Sequence, residues 1–185
     1  LLDEMDALFL AGCLYLGAGL VTLPSTLGQT GMSKSRTIDR WRLLGAIAFG
    51  GMIGPTLLLM GLRLSDAGNI SLLLNLETIA TVLLGWCIFR ERITPKVWLA
   101  ACLVLSGGVV LNLPFESSSL HATGLVLLAC FSWGLDNHFT ADIQDFSPMQ
   151  TTCIKGLCAG AVNIGISLFW WPMPASFWVT VAVLL

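Results

Sequence analysis

A carboxylate lies in the middle of an otherwise apolar stretch: Glu77 is ten residues into residues 67–89 and is flanked by polar side chains. An ionised side chain at the bilayer centre costs about 2.5–3.5 kcal/mol, so such residues usually face the bundle interior or a wet cavity. Burial favours the neutral form of a carboxyl group, which suits Glu77 to binding and releasing a proton. We predict a proton- or substrate-binding residue, with Asn75 nearby and Thr81 on the same helix face. The alternative is a protonated glutamate that bonds a neighbouring helix.

A second polar group occupies residues 132–140, in two stripes at four-residue spacing: Ser132, Asp136 and Thr140, and beside them Trp133 and Asn137. We predict that Trp133, Asp136 and Asn137 line a substrate cavity. The alternative is a place near the cytoplasmic end of the helix, where polar groups cost little. His138 is two residues from Asp136 and therefore cannot share its helix face. As an isolated histidine, it is a weak signal of function.

The third candidate is Lys155, seven residues into the apolar stretch 148–171. A substrate carboxylate, Glu77 or Asp136 could neutralise its ammonium group. Snorkelling to the cytoplasmic interface, which lysine does readily, is the alternative.

Other chemistry finds little support. The six cysteines lie in apolar segments without a CxxC pair, which favours helix contacts over disulfides or a metal site. The sequence contains neither GxSxG nor HExxH, so we predict no catalytic residues and no cofactor. Nine basic residues are too few for a surface that tracks nucleic-acid phosphates.

The elements that position these residues are predicted to be membrane-spanning helices. Of the 185 residues, 56% are hydrophobic and 11% are charged, whereas a soluble domain has about 25% charged residues. A membrane helix needs roughly 20 mainly apolar residues. Continuous stretches of that kind run over 5–23, 43–62, 67–89, 97–113, 122–141 and 148–171, and a seventh begins at 175. Barrel strands alternate over about ten residues, so these longer runs indicate helices.

The basic residues predict the orientation. Seven of the nine lie in two alternate connections, 24–42 and 90–96. The positive-inside rule makes both connections cytoplasmic. The chain is therefore predicted to be an all-α, multi-pass protein with the lipid bilayer as a partner.

Several segments carry a family resemblance. SDAG at residues 65–68 opens a span, FRER at 89–92 closes it, and SGGV at 106–109 ends the next one. A second repeat of the pattern opens at Gly124 and contains SWGLDN at residues 132–137. Together these segments resemble the EamA type of the drug/metabolite transporter superfamily.

The resemblance implies ten helices in two inverted five-helix repeats. Residues 1–113 would then be repeat 1 without its first helix, 114–123 a connecting loop, and 124–185 the truncated start of repeat 2. An internal echo agrees: GAGL at residues 17–20 recurs as CAGA at residues 158–161, an offset of 141. At that offset Pro148 and Lys155 fit the proline and basic residue typical of the family, whereas Ala7 and Leu14 depart from them.

The function implied is secondary transport of small metabolites, such as amino-acid-like or drug-like compounds, across the inner membrane. Export by alternating access is expected, with coupling to protons through Glu77. A lipid-carrier flippase on the same fold, an intramembrane enzyme and a structural or receptor role are the alternatives. A homodimer is an assembly that the sequence leaves open.

Overall fold

The computed structural model describes residues 6–27, 37–111 and 119–170. In these ranges the protein is helical and has no strand. Six helices follow one another in the chain: α1 Ala7–Thr26, α2 Thr37–Leu62, α3 Ala67–Cys87, α4 Pro95–Leu111, α5 Leu120–Ala141 and α6 Pro148–Trp170. The predicted all-α fold is confirmed, and each of the six predicted spans corresponds to one helix. The seventh, from residue 175, lies outside the described residues.

Four helices, α1, α2, α3 and α6, are long and apolar enough to cross a membrane. In α4 the apolar stretch is shorter, Pro95–Gly107. In α5 there are 22 residues, but Asp136, Asn137 and His138 reduce its apolar character. Of the six predicted spans, four are thus long and apolar enough to cross a membrane.

The helix ends extend beyond the predicted spans, which corrects the predicted connection 24–42. Pro24 lies inside α1, where the hydroxyls of Thr22, Ser25 and Thr26 donate to nearby carbonyls of their own helix. Residues 37–42 form the polar first turns of α2. A hydropathy criterion omits such turns because they are polar, although they continue the helix.

The centre of α2 departs from regular α-helix. Residues Ile47–Ile53 form a π-helix, directly before Gly54 and Pro55. The amide of Gly54 bonds the carbonyl of Phe49, five residues back, and Pro55 has no amide hydrogen to donate. Consequently the carbonyls of Gly50 and Gly51 lack their usual partners in the helix. The irregular part of α2 therefore comprises Pro55 and the two turns that precede it.

The α2 glycines Gly50 and Gly54 also permit close packing against α5. A Cβ atom added to Gly50 would collide with the carboxylate of Asp136. One added to Gly54 would lie 2.7 Å from the indole nitrogen of Trp133. Side chains of α5 thus rest directly on the backbone of α2.

An extensive helix contact joins α1 to α6 through glycines. A Cβ atom added to Gly19 would lie 2.6 Å from the Leu157 nitrogen, and one added to Gly160 would lie 2.5 Å from the Leu16 nitrogen. At the offset of 141, Gly19 corresponds to Gly160 and Leu16 to Leu157. The two contacts therefore join the same two repeat positions, once with the glycine on α1 and once with the glycine on α6.

Candidate functional site

Glu77 and Thr81 of α3 meet α5 at Asn137. The Asn137 amide nitrogen donates to Glu77 Oε1 at 3.2 Å and to Thr81 Oγ1 at 3.3 Å. Both acceptors lie one turn apart on the same face of α3, as predicted from their spacing. One amide group thereby uses its two hydrogens to join α5 to α3.

An ion pair joins α5 to α6. The Lys155 ammonium group bonds Asp136 Oδ2, and the Thr140 hydroxyl donates to Asp136 Oδ1 at 3.0 Å. The Asp136 side chain is 9% exposed and that of Lys155 is 17% exposed. Lys155 therefore pairs within the bundle, as the sequence allowed, and Asp136 is held on both carboxylate oxygens.

We use "polar layer" for the six residues Glu77, Thr81, Trp133, Asp136, Asn137 and Lys155. Asp136 lies five residues before the end of α5, and Lys155 lies seven residues after the start of α6. Asp136 and Lys155 are therefore nearer to the connection 142–147 than to the other ends of their helices, whereas Glu77 lies at the midpoint of α3. For Asp136 this is the placement that the alternative interpretation described.

Trp133 contacts the irregular part of α2. Its indole nitrogen donates to the Gly50 carbonyl at 3.3 Å. The Tyr15 hydroxyl of α1 donates to the same carbonyl at 2.5 Å, and Ser132 donates to the Phe49 carbonyl at 2.8 Å. Side chains from two helices thus satisfy the Gly50 carbonyl, which the π-helix and Pro55 leave without a regular partner, and Ser132 adds a second donor to the Phe49 carbonyl.

Asn75 does not join the polar layer. It is exposed, and its amide nitrogen donates to the Leu72 carbonyl of its own helix at 3.0 Å. At this point α3 is interrupted between the segments Ala67–Leu73 and Leu76–Cys87. The interruption provides a local carbonyl for the Asn75 amide, which explains why the residue does not reach α5.

Two residues that contribute to the site were not predicted from the sequence. Tyr15 is the single tyrosine in the chain, and its hydroxyl lies within an apolar helix, which was a usable signal. Asn163 is fully buried in α6, where its amide nitrogen donates to the Gly51 carbonyl at 3.0 Å. A buried asparagine in the middle of a span was a comparable signal.

The charges of the polar layer are unequal. Asp136 and Lys155 neutralise each other. Among the described residues, Glu77 is bonded by the neutral amide of Asn137 and by no cation. The layer can therefore take up a proton or a cationic group at Glu77. No group of three or more His, Cys, Asp or Glu residues in these ranges could hold a metal ion.

Comparison with known proteins gives a family and several relatives. Residues 1–113 match the model of the EamA-like transporter family. An uncharacterized transporter of Methanothermobacter thermautotrophicus is 40% identical over 120 residues, which are 60% of this chain and 35% of that protein. A probable 4-amino-4-deoxy-L-arabinose-phosphoundecaprenol flippase subunit ArnE of Salmonella typhimurium is 29% identical over 105 residues, which are 57% of this chain and 93% of that protein. The chain thus spans about a third of the first relative.

Proposed function

The chain belongs to the EamA-like transporter family, and we propose that it is part of a secondary active transporter that exports small metabolites in exchange for protons at Glu77. The observation that carries this proposal is the unequal charge of the polar layer. A carboxylate that the protein does not neutralise can be neutralised by a proton or by a cationic substrate, and both compete for the same oxygens. Competition of this kind couples the movement of the proton to the movement of the substrate.

The remaining polar groups fit substrate contacts. Asn137 bonds Glu77 and Thr81 through its amide nitrogen, and its side chain is exposed. A substrate ammonium group at Glu77 would therefore lie beside an amide and a hydroxyl. Amino-acid-like and amine-containing compounds are the substrate class that this set of groups suits.

Alternating access is the proposed mechanism. The contact between α1 and α6 repeats the same pair of positions at an offset of 141, which supports two inverted repeats. Residues 1–113 are assigned to repeat 1 and 124–185 to the start of repeat 2. Ten helices are proposed for the intact protein, in the inner membrane with the basic connections in the cytoplasm.

The test uses the intact parent protein in proteoliposomes with an imposed pH gradient. Amino acids, amines and toxic cations are screened for flux in the wild type, in Glu77→Gln and in Asp66→Asn. Asp66 is the exposed carboxylate at the start of the same helix and serves as the control. Gradient-driven flux should be lost in Glu77→Gln and retained in Asp66→Asn. Equal flux in all three proteins would refute coupling through Glu77.

A lipid-carrier flippase is the second candidate, because the ArnE relatives align over nearly their whole length. Its substrate would carry an amino sugar on a polyprenyl phosphate. Transfer of such a lipid between leaflets, without flux of soluble amines, would favour this candidate over metabolite export.

A further inference from the structure

His138 of α5 faces away from Asp136, as the spacing predicted, and contacts the end of α3. Its Nε2 atom lies 2.9 Å from the Thr81 carbonyl oxygen, and its Nδ1 atom lies 3.0 Å from Glu91 Oε1. Glu91 belongs to the connection between α3 and α4. We infer that Glu91 and His138 form a proton-binding site, separate from Glu77, that joins this connection to α5.

The inference rests on the hydrogen-bonding capacity of the two partners. A carbonyl oxygen only accepts, so the contact with Thr81 requires a hydrogen on Nε2. A neutral imidazole then has a lone pair on Nδ1, which would face the lone pairs of an ionised Glu91. One additional proton between Nδ1 and the carboxylate makes the contact favourable. The site therefore holds one proton more than a neutral histidine beside a carboxylate would.

The backbone places Glu91 at this position. Its amide donates to the Gly85 carbonyl at 2.8 Å, and the preceding Arg90 has a left-handed φ of 55°. Such a φ is uncommon for a residue other than glycine and is retained where the surroundings require it. A Cβ atom added to Gly85 would lie 3.0 Å from both Glu91 Oε2 and His138 Cε1. The contact thus depends on a turn and on a glycine that leaves room for it.

An aromatic side chain of the same connection covers one face of the imidazole. Phe89 stacks on the ring, with centroids 4.3 Å apart and an interplanar angle of 19°. Asp142, which directly follows the last residue of α5, directs its carboxylate to Arg42. His138 is 9% exposed, whereas the Glu91 side chain is 50% exposed. A proton can therefore reach the buried ring from solvent through Glu91.

Loss of this proton should release the contact. When the proton leaves, two lone pairs face each other at hydrogen-bond distance, and the Glu91 carboxylate is no longer attracted to the His138 ring. Both elements lie at the end of the bundle that carries the basic connections, so the proton comes from that side. The inference does not depend on the proposed function, because the protonation state can be measured without transport.

The experiment is nitrogen-15 NMR of the histidine rings in the intact parent protein in nanodiscs. Subtraction of the His138→Gln spectrum assigns the ring, and His121, exposed at the other end of α5, is the internal reference. At about pH 7.5, the contacts with Thr81 and Glu91 should leave His138 with hydrogen on both ring nitrogens.

The decisive variant is Glu91→Gln, because a glutamine side chain can donate to Nδ1 and needs no extra proton. His138 should then carry a single ring hydrogen at the same pH, while Asp142→Asn should leave both in place. A wild-type His138 with one ring hydrogen at this pH would overturn the proposal. Two ring hydrogens retained in Glu91→Gln would overturn it as well.

Discussion

The buried pair of Asp136 and Lys155 predicts a large and strongly non-additive effect of mutation. Asp136→Asn keeps the shape and the acceptor for Thr140, but leaves the Lys155 ammonium group buried without a counter-charge. Removing one partner of a buried pair costs about 3–5 kcal/mol, whereas replacing both with uncharged groups is often neutral. Lys155→Met alone should cost a similar amount, and the double variant should recover most of the loss.

Equilibrium unfolding in mixed micelles of detergent and SDS measures this cycle. A coupling of about 2 kcal/mol or more is expected, near the upper end of the range for contacting residues. The control cycle uses Arg42 and Asp142, whose side chains meet at 2.9 Å but are 27% and 55% exposed. Exposed pairs contribute about 0.2–1 kcal/mol, so the control coupling should be smaller. Additive losses in the Asp136 and Lys155 cycle would contradict the argument from burial.

Two further predictions concern a glycine contact and a buried carboxylate. Gly19→Ala should destabilise the protein by about 1–3 kcal/mol in the same unfolding assay, because its Cβ would lie 2.6 Å from the Leu157 nitrogen. Gly17→Ala is the control and should have little effect, because a Cβ atom at Gly17 would meet no neighbouring atom within 4 Å. Asp39→Ala should cost at least about 3 kcal/mol, since bonds to a charged group contribute about 1.5–3 kcal/mol each and this buried carboxylate accepts two amides. Amide hydrogen exchange at residues 144–145 should accelerate in that variant, and unchanged exchange would contradict it.

Much of the fold could be predicted because apolar length and composition largely determine a membrane helix. The family resemblance drawn from SDAG, FRER and SGGV is confirmed by the match over residues 1–113. Helix ends were less accurate: the polar first turns of α2 and the last turn of α1 beyond Pro24 continue the helix through bonds that hydropathy does not register.

The contacts within the polar layer were harder to predict. Spacing placed Glu77 and Thr81 on one face, and it separated Asp136 from His138, but the rotation of each helix about its axis decides which partner a face meets. Asn137 therefore could be predicted as polar lining, yet not as the partner of Glu77. The role of His138 depends on Glu91, whose position is determined by a turn with positive φ, and that turn has no periodic signal in the sequence.

The glycine contact between α1 and α6 also bears on how the protein is made. Gly19 and Leu157, which meet in this contact, are 138 residues apart. At about 5–20 residues per second, α1 therefore leaves the ribosome roughly 7–30 seconds before its partner. Throughout that interval the glycine face of α1 has no α6 to cover it. A translation product that stops before α6 would keep this face uncovered, which gives membrane quality-control proteases a physical feature by which to recognise an unfinished chain.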